Sequence, residues 1–124
     1  MATIELEKTQ LTPSILLDKE KGIVEIKGDS LPENTAEFYK PLMTELKDYF
    51  NSPQDKTIIN LEITYFNSSS SKLFFDFFDL LENASEKYTI EINWIYDEEN
   101  ESMEEAGEDF AEDFESLTFN MVTL

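Results

Sequence analysis

An apolar, β-branched run passes into an apolar, aromatic run with no proline or glycine between them, and that junction restricts the fold more than any other stretch. Thr57 to Thr64 reads T-I-I-N-L-E-I-T, Leu73 to Leu81 reads L-F-F-D-F-F-D-L-L, and Tyr65-Phe66-Asn67-Ser68-Ser69-Ser70-Ser71-Lys72 joins them. A buried strand feeding directly into a helix points to an α/β chain. In the strand, Ile59, Leu61 and Ile63 form a wholly apolar face, while Ile58, Asn60 and Glu62 form a mixed one. That pattern suits an interior strand with one buried face and one partly covered face. The helix is expected over Ser70–Ala84, with Lys72, Asp76, Asp79 and Asn83 as one narrow polar stripe.

The four hydroxyls at Ser68–Ser71 allow two compatible readings. Serine and asparagine cap helix N-termini by accepting from orphan backbone N–H groups. The same N–H groups and the positive end of the helix dipole also suit a phosphate. A phosphoserine there adds roughly −1.5 to −2 charges, and Lys72 is the cation nearest in sequence to pair with it.

The remaining elements follow in chain order. Residues 1–12 contain a short alternation at Ile4 and Leu6, an edge strand or a docked arm. Ser14–Asp18 and Ile23–Gly28 flank Lys19-Glu20-Lys21-Gly22 and read as a β-hairpin, with Val24 and Ile26 facing one way and Glu25 and Lys27 the other. Gly28 to Asn34 is a loop of turn formers. Phe38, Leu42, Leu46 and Tyr49 recur at helical spacing, so Thr35–Phe50 is expected to be an amphipathic helix capped by Asn34 or Thr35, starting late or kinking at Pro41. Tyr88–Tyr96 alternates as a strand with Ile90, Ile92 and Trp94 on one side. Residues 97–115 carry many carboxylates and no lysine, yet Met103, Ala106 or Gly107, Phe110 and Phe114 keep helical spacing, so an acidic amphipathic helix is expected. Leu117–Val122 closes the chain as a last strand. At 124 residues the whole is one domain, 1–124.

The helix after the serines holds Leu73, Phe74, Phe75, Phe77, Phe78, Leu80 and Leu81. That is more apolar surface than one buried face of a small domain needs. Either other helices cover it or part of it, with Phe74, Phe75 and Phe78 as candidates, is a contact surface for another protein.

The chain has no histidine and no cysteine, and its nine basic residues are all lysine. Disulfides, Cys/His zinc sites, imidazole-based nucleophile systems and arginine fingers are therefore excluded. A formal net charge of −19 repels phosphate backbones and anionic membranes, which leaves a protein partner with a basic surface. No apolar run approaches the ~20 residues needed to span a bilayer, and no leader is visible, so the expected compartment is the cytoplasm. The acidic 97–115 stretch lacks the central glycine of a helix–loop–helix calcium site, and Gly22, Gly28 and Gly107 make no phosphate cradle. Neither a metal, a cofactor nor catalysis is expected.

Three segments together carry a resemblance: Gly28-Asp29-Ser30-Leu31-Pro32-Glu33-Asn34; Tyr65 to Lys72 with Asp79-Leu80-Leu81-Glu82; and Trp94-Ile95-Tyr96-Asp97 with Asn100-Glu101. In that order they resemble the SiaC family of bacterial regulatory phosphoproteins over nearly the whole chain. The resemblance implies a small mixed β-sheet with helices packed on it, similar to STAS or anti-sigma-factor-antagonist domains. It also implies a hydroxyl phosphorylated by a dedicated kinase and dephosphorylated by a PP2C-type phosphatase, with the unphosphorylated form binding and activating a diguanylate cyclase. Cyclic-di-GMP signalling and control of biofilm formation and aggregation would follow. The family's phosphoacceptor corresponds to Ser68, where serine replaces threonine, and Ser69 is a competing site. Asn67, Ser69 and Lys72 would shape the switch junction, and phosphate on Ser68 would turn partner binding off by charge repulsion and desolvation. The alternative is an acidic decoy that occupies a basic or nucleic-acid-binding surface through the 97–115 helix.

Overall fold

The computed structural model describes residues 3–124, so Met1 and Ala2 of the expected N-terminal arm lie outside the described residues. Six strands form where side chains alternate with period two: β1 (Ile4–Leu6), β2 (Ser14–Asp18), β3 (Ile23–Ser30), β4 (Lys56–Phe66), β5 (Thr89–Tyr96) and β6 (Thr118–Thr123). Three helices form where the period is 3.6: α1 (Thr35–Tyr49), α2 (Ser68–Ser85) and α3 (Glu101–Asp113). The strands lie in one sheet in the order β1-β2-β3-β4-β5-β6. The β1–β2 and β2–β3 pairs are antiparallel, and β3 through β6 run parallel. The sheet is mixed and the fold is α/β, as expected.

The β2–β3 hairpin closes at Gly22, whose φ of 68° lies in the left-handed region. Its N–H donates to the Asp18 carbonyl at 2.9 Å, and a Cβ there would sit 2.8 Å from the Lys56 carbonyl oxygen. Glycine is therefore required at that position both by conformation and by space.

Each helix connects neighbouring parallel strands, and such crossovers are right-handed almost without exception. Three crossovers advancing in one direction place all three helices on the same face. Two rows of side chains, Leu17–Val24–Ile59–Ile92–Phe119 and Ile15–Ile26–Leu61–Trp94–Met121, run across the sheet beneath them. The opposite face is left to solvent and carries Leu16, Glu25, Asn60, Asn93 and Asn120 in one row. The three asparagines bond in series, Asn93 donating to Asn60 at 2.9 Å and Asn120 to Asn93 at 3.1 Å.

Two expectations about α1 change. The buried stripe is Tyr39, Leu42, Leu46 and Tyr49, while Phe38 is only half-buried. The helix also runs unbroken from Thr35 through Pro41. Pro41 and Glu37 are both exposed, so the carbonyl that the proline leaves unpaired meets water. None of the described helices is long and apolar enough to cross a membrane.

The acidic 97–115 segment is a packed helix rather than a tail. Trp94 is fully buried beneath it, its indole N–H donating to the Met103 carbonyl at 2.8 Å. Its ring lies 5.7 Å from that of Phe110. Gly107 allows this approach, because a Cβ there would lie 2.5 Å from Trp94 Cδ1 and 2.8 Å from Met121 Cε. Glycine-to-alanine in an open helix interior is worth about 1 kcal/mol in favour of alanine; overpacking a filled core costs about 1–3 kcal/mol. The second effect wins here, so Gly107→Ala is expected to lower stability by about 1–2 kcal/mol in urea denaturation. A stabilised variant would show that α3 sits farther from Trp94 than described.

Candidate functional site

The junction is built by a change of phase in β4. Inward residues alternate through Ile59, Leu61 and Ile63, which would put Tyr65 inside next. Instead the pairing with β3 jumps from Gly28↔Ile63 to Asp29↔Tyr65 and Ser30↔Phe66, leaving Thr64 as the extra residue of a β-bulge. The Thr64 hydroxyl donates to the Asp29 carboxylate across the irregularity. Tyr65 is consequently 55% exposed, and Phe66 turns inward against Phe74 and Phe110. The strand thus extends two residues past its expected end at Thr64.

The helix starts at Ser68 rather than Ser70, with Asn67 as its N-cap. Asn67 Oδ1 accepts from the Ser70 backbone N–H at 2.9 Å. The four serines of the first turn then separate into different roles according to what their hydroxyls touch. Ser69 Oγ lies 2.7 Å from Thr35 Oγ1 and donates to Asn67 Oδ1 at 3.1 Å. Ser70 is fully buried, donating to the Ser30 carbonyl at 3.0 Å and lying 2.8 Å from Ser30 Oγ. Ser30 Oγ in turn lies 2.6 Å from the phenol of Tyr39. Ser71 is half-buried on the α3 side. Ser68 is exposed, and its hydroxyl has no hydrogen-bond partner among the described residues.

Ser30, Thr35 and Tyr39 are the members of this site that sequence reading missed, and Ser70 reads there only as one of the four junction hydroxyls, with no role of its own. Ser30 reads as a loop residue, and its partners lie nine and forty positions away. The one available signal is that Tyr39 keeps the helical spacing of Leu42, Leu46 and Tyr49. Burial pushes the Tyr39 phenol up to about 12, although the Ser30 hydrogen bond pulls the other way.

Two clefts flank the first turns of α2. Glu33, Thr35, Ser69, Lys72 and Asp76 are among the residues lining the one shared with α1. The other, shared with α3, has a volume of about 560 Å³ and is bounded by Ser68, Ser71, Lys72, Phe75, Asp76, Ala106, Asp109 and Asp113 over Phe66 and Phe110. Lys72 is the one cation among the residues lining either cleft, and it projects between them.

The expected aromatic contact surface needs correction. Phe74 and Phe78 are fully buried: Phe74 packs on Tyr39 and Phe66, and Phe78 on Phe110, Phe114 and Phe119. The sheet, α1 and α3 therefore take up most of the apolar surface of α2. Phe75 alone of the three stays accessible, 47% exposed at the lip of the α2–α3 cleft.

The model of the SiaC family regulatory phosphoproteins matches residues 6–124. A protein of Pseudomonas aeruginosa (strain UCBPP-PA14), described as uncharacterized, is 33% identical over 114 residues, spanning 91% of this chain and 90% of its own. The crystal structure of apo-SiaC from Pseudomonas aeruginosa superposes with a TM-score of 0.87 at 31% identity, covering 99% of this chain and 98% of that one. A chain in the crystal structure of diguanylate cyclase SiaD in complex with its activator SiaC, also from Pseudomonas aeruginosa, gives a TM-score of 0.86 at 31% identity and covers 97% of both.

The roles assigned to the hydroxyls make separable predictions. Ser70→Ala removes a buried donor from the Ser30 carbonyl and is expected to cost about 1–2 kcal/mol of stability. Ser68→Ala is expected to stay within about 0.5 kcal/mol of the parent; equal losses in urea denaturation would contradict the assignment. Alkali tests Tyr39 separately. An acid whose folded value is raised above the ordinary 10.0 to about 12 contributes stability that is fully present below the ordinary value and disappears as the pH rises through the folded one. The parent should therefore lose more stability across that window than Tyr39→Phe does.

Proposed function

The chain belongs to the SiaC family of regulatory phosphoproteins, and from that premise we propose that it is a non-enzymatic adaptor whose hold on a protein partner is switched by reversible phosphorylation of Ser68. By analogy with the activator seen in complex with diguanylate cyclase SiaD, the partner is a diguanylate cyclase. A cognate kinase and a PP2C-type phosphatase set the state of the switch, and the compartment is the cytoplasm.

The observation that supports Ser68 over its neighbours is its free, exposed hydroxyl. Ser69, though exposed, and the buried Ser70 already spend theirs on Thr35, Asn67 and Ser30, so phosphorylating either would break the junction, and Ser71 is half-buried. In transfer, Ser68 Oγ attacks the γ-phosphorus of ATP, ADP leaves, and the serine proton passes to a base of the kinase. Hydrolysis by the phosphatase restores the hydroxyl and releases inorganic phosphate. This chain contributes the acceptor and its presentation.

The product is compatible with the folded state. Ser68 is the first residue of α2, where the orphan N–H groups of the first turn and the helix dipole favour an anion, and Lys72 lies one turn on. The switch is then a change of surface rather than a melting of the helix. Roughly −1.5 to −2 further charges appear at the mouth of a cleft that already holds Asp76, Asp109 and Asp113. A partner that takes up this surface has to desolvate the phosphate or leave.

The test is to isolate the protein from its native host, map phosphate by intact mass and peptide mass spectrometry with and without PP2C-type phosphatase, and measure cyclase binding by each form. One phosphatase-sensitive phosphate on Ser68 is expected, and Ser68→Asp should bind the cyclase at least about tenfold more weakly than the parent. Phosphate mapped to Ser69, or Ser68→Asp binding with parental affinity, would refute the proposal.

A further inference from the structure

We infer that β6 is a self-association edge, at which two copies of this chain join antiparallel into one continuous sheet. The pairing goes beyond the adaptor reading and stands or falls without it.

β6 closes one side of the sheet, with β5 beside it and no strand beyond among the described residues. Leu124 donates to the Tyr96 carbonyl of β5 at 2.9 Å. Backbone direction alternates along a strand, so Thr118, Asn120 and Val122 also aim their backbone groups at β5. Phe119, Met121 and Thr123 aim theirs outward, where no described residue pairs with them. Such a row is a template for another strand, and proteins ordinarily blunt it with shortness, charge, proline or a bulge. The opposite edge is blunted in this way, since β1 has only three residues, Ile4–Leu6, with Glu5 at its centre. β6 has six residues, reading T-F-N-M-V-T, with no charge, proline or register shift. Leu117 to Leu124 holds no charged side chain in a chain that is 30% charged, and Val122 and Leu124 are 38% and 70% exposed.

These features select a second copy as the occupant. A two-fold axis at Met121 sets Met121 opposite its own equivalent and Phe119 opposite Thr123 on both sides of the axis. Each of these pairs exchanges two hydrogen bonds, so every outward group finds a partner. A slip of two residues carries an outward residue of each copy past the end of the other strand. On the open face Val122 then lies opposite Asn120, and Leu124 opposite Thr118, so both exposed apolar side chains gain a neighbour. A chain of net charge −19 repels its copy wherever it presents charge, and this uncharged edge is where two copies meet at least cost. A basic segment of another protein finds no carboxylate on the edge to favour it. The isologous pairing consumes both β6 edges and leaves only the blunted β1 edges, so association closes at two copies. Strand pairing alone makes a small interface, and a Kd between about 1 µM and about 1 mM is expected.

The test is sedimentation velocity of the full, unphosphorylated chain across that concentration range, with amide hydrogen exchange followed by NMR at low and high concentration. The average mass is expected to rise from 14.4 kDa towards twice that value. Amides of Phe119, Met121 and Thr123 should gain protection several-fold with concentration, whereas those of Thr118, Asn120 and Val122, already bonded to β5, should not change. α3 lies over β6, with Gly107 against Met121, so pairing brings two acidic helices side by side. Raising salt from about 0.01 M to about 0.15 M should therefore tighten it several-fold. Thr123→Pro removes an outward N–H from each copy while sparing the β5 ladder, and should weaken pairing about tenfold. Val122→Glu puts like charges beside the axis and should weaken it comparably, which keeps the test decisive if the proline variant misfolds. A single-copy mass at every concentration, a dimer without the alternating amide pattern, pairing that loosens with salt, or parental pairing by a folded variant would overturn the inference.

Discussion

Three crossovers of one hand, each stepping to the next strand, oblige every helix of this protein to lie on a single face of the sheet. From that constraint come the alternation of β3, of β4 up to its bulge and of β5, the packing of both apolar rows under α1, α2 and α3, and the polar asparagine row on the other side. It also gathers three helix N-termini at the same end of the parallel strands. Asn34, Asn67 and Asn100 cap them, each accepting from the backbone N–H three residues on. Ligand and partner sites of α/β sheets arise at this end because strand-to-helix connections expose side chains there.

At one of these three ends the backbone departs from regularity. The extra residue Thr64 in β4 reverses the alternation, so that Phe66 turns in against the core, partly buried, and Tyr65 turns out. Asn67 is thereby delivered to the cap position with its N–H on the Ser30 carbonyl at 3.2 Å. The buried hydroxyls of Ser30, Tyr39 and Ser70 then tie β3, α1 and α2 together, and each is satisfied. No buried side-chain nitrogen or oxygen among the described residues lacks a partner. A fully satisfied buried polar cluster is rigid, since moving any member leaves another unpaired. That rigidity presents Ser68 at a fixed place beside the α2–α3 cleft.

Electrostatics sets how such a site acts. With no arginine in the chain and Lys72 alone at the clefts, added phosphate has little to neutralise it at the surface. Carboxylates that repel phosphate would attract a basic partner, so the proposed switch uses one charge pattern in both states. The acidic helix takes part as a structural wall: Met103, Gly107 and Phe110 hold it to the sheet, and Tyr96 anchors it by donating to Glu104 at 3.1 Å.

The sequence by itself determined the types of the main elements, the inward residues of the regular strands, the α/β class and the exclusion of histidine, cysteine and arginine chemistry, because periodicity and composition are local properties. It also marked the serine junction, since cap residues declare themselves beside the helix they start. Only the tertiary structure decided that Ser69 and Ser70 are engaged, because partners of theirs come from α1 and β3, more than thirty positions away. It likewise decided that Phe74 and Phe78 belong to the core while Phe75 does not. An aromatic helix is apolar on several sides at once, and which sides are covered depends on where α1 and α3 come to rest. The bulge at Thr64 was equally illegible, for the extra residue is defined only by what lies opposite it on β3.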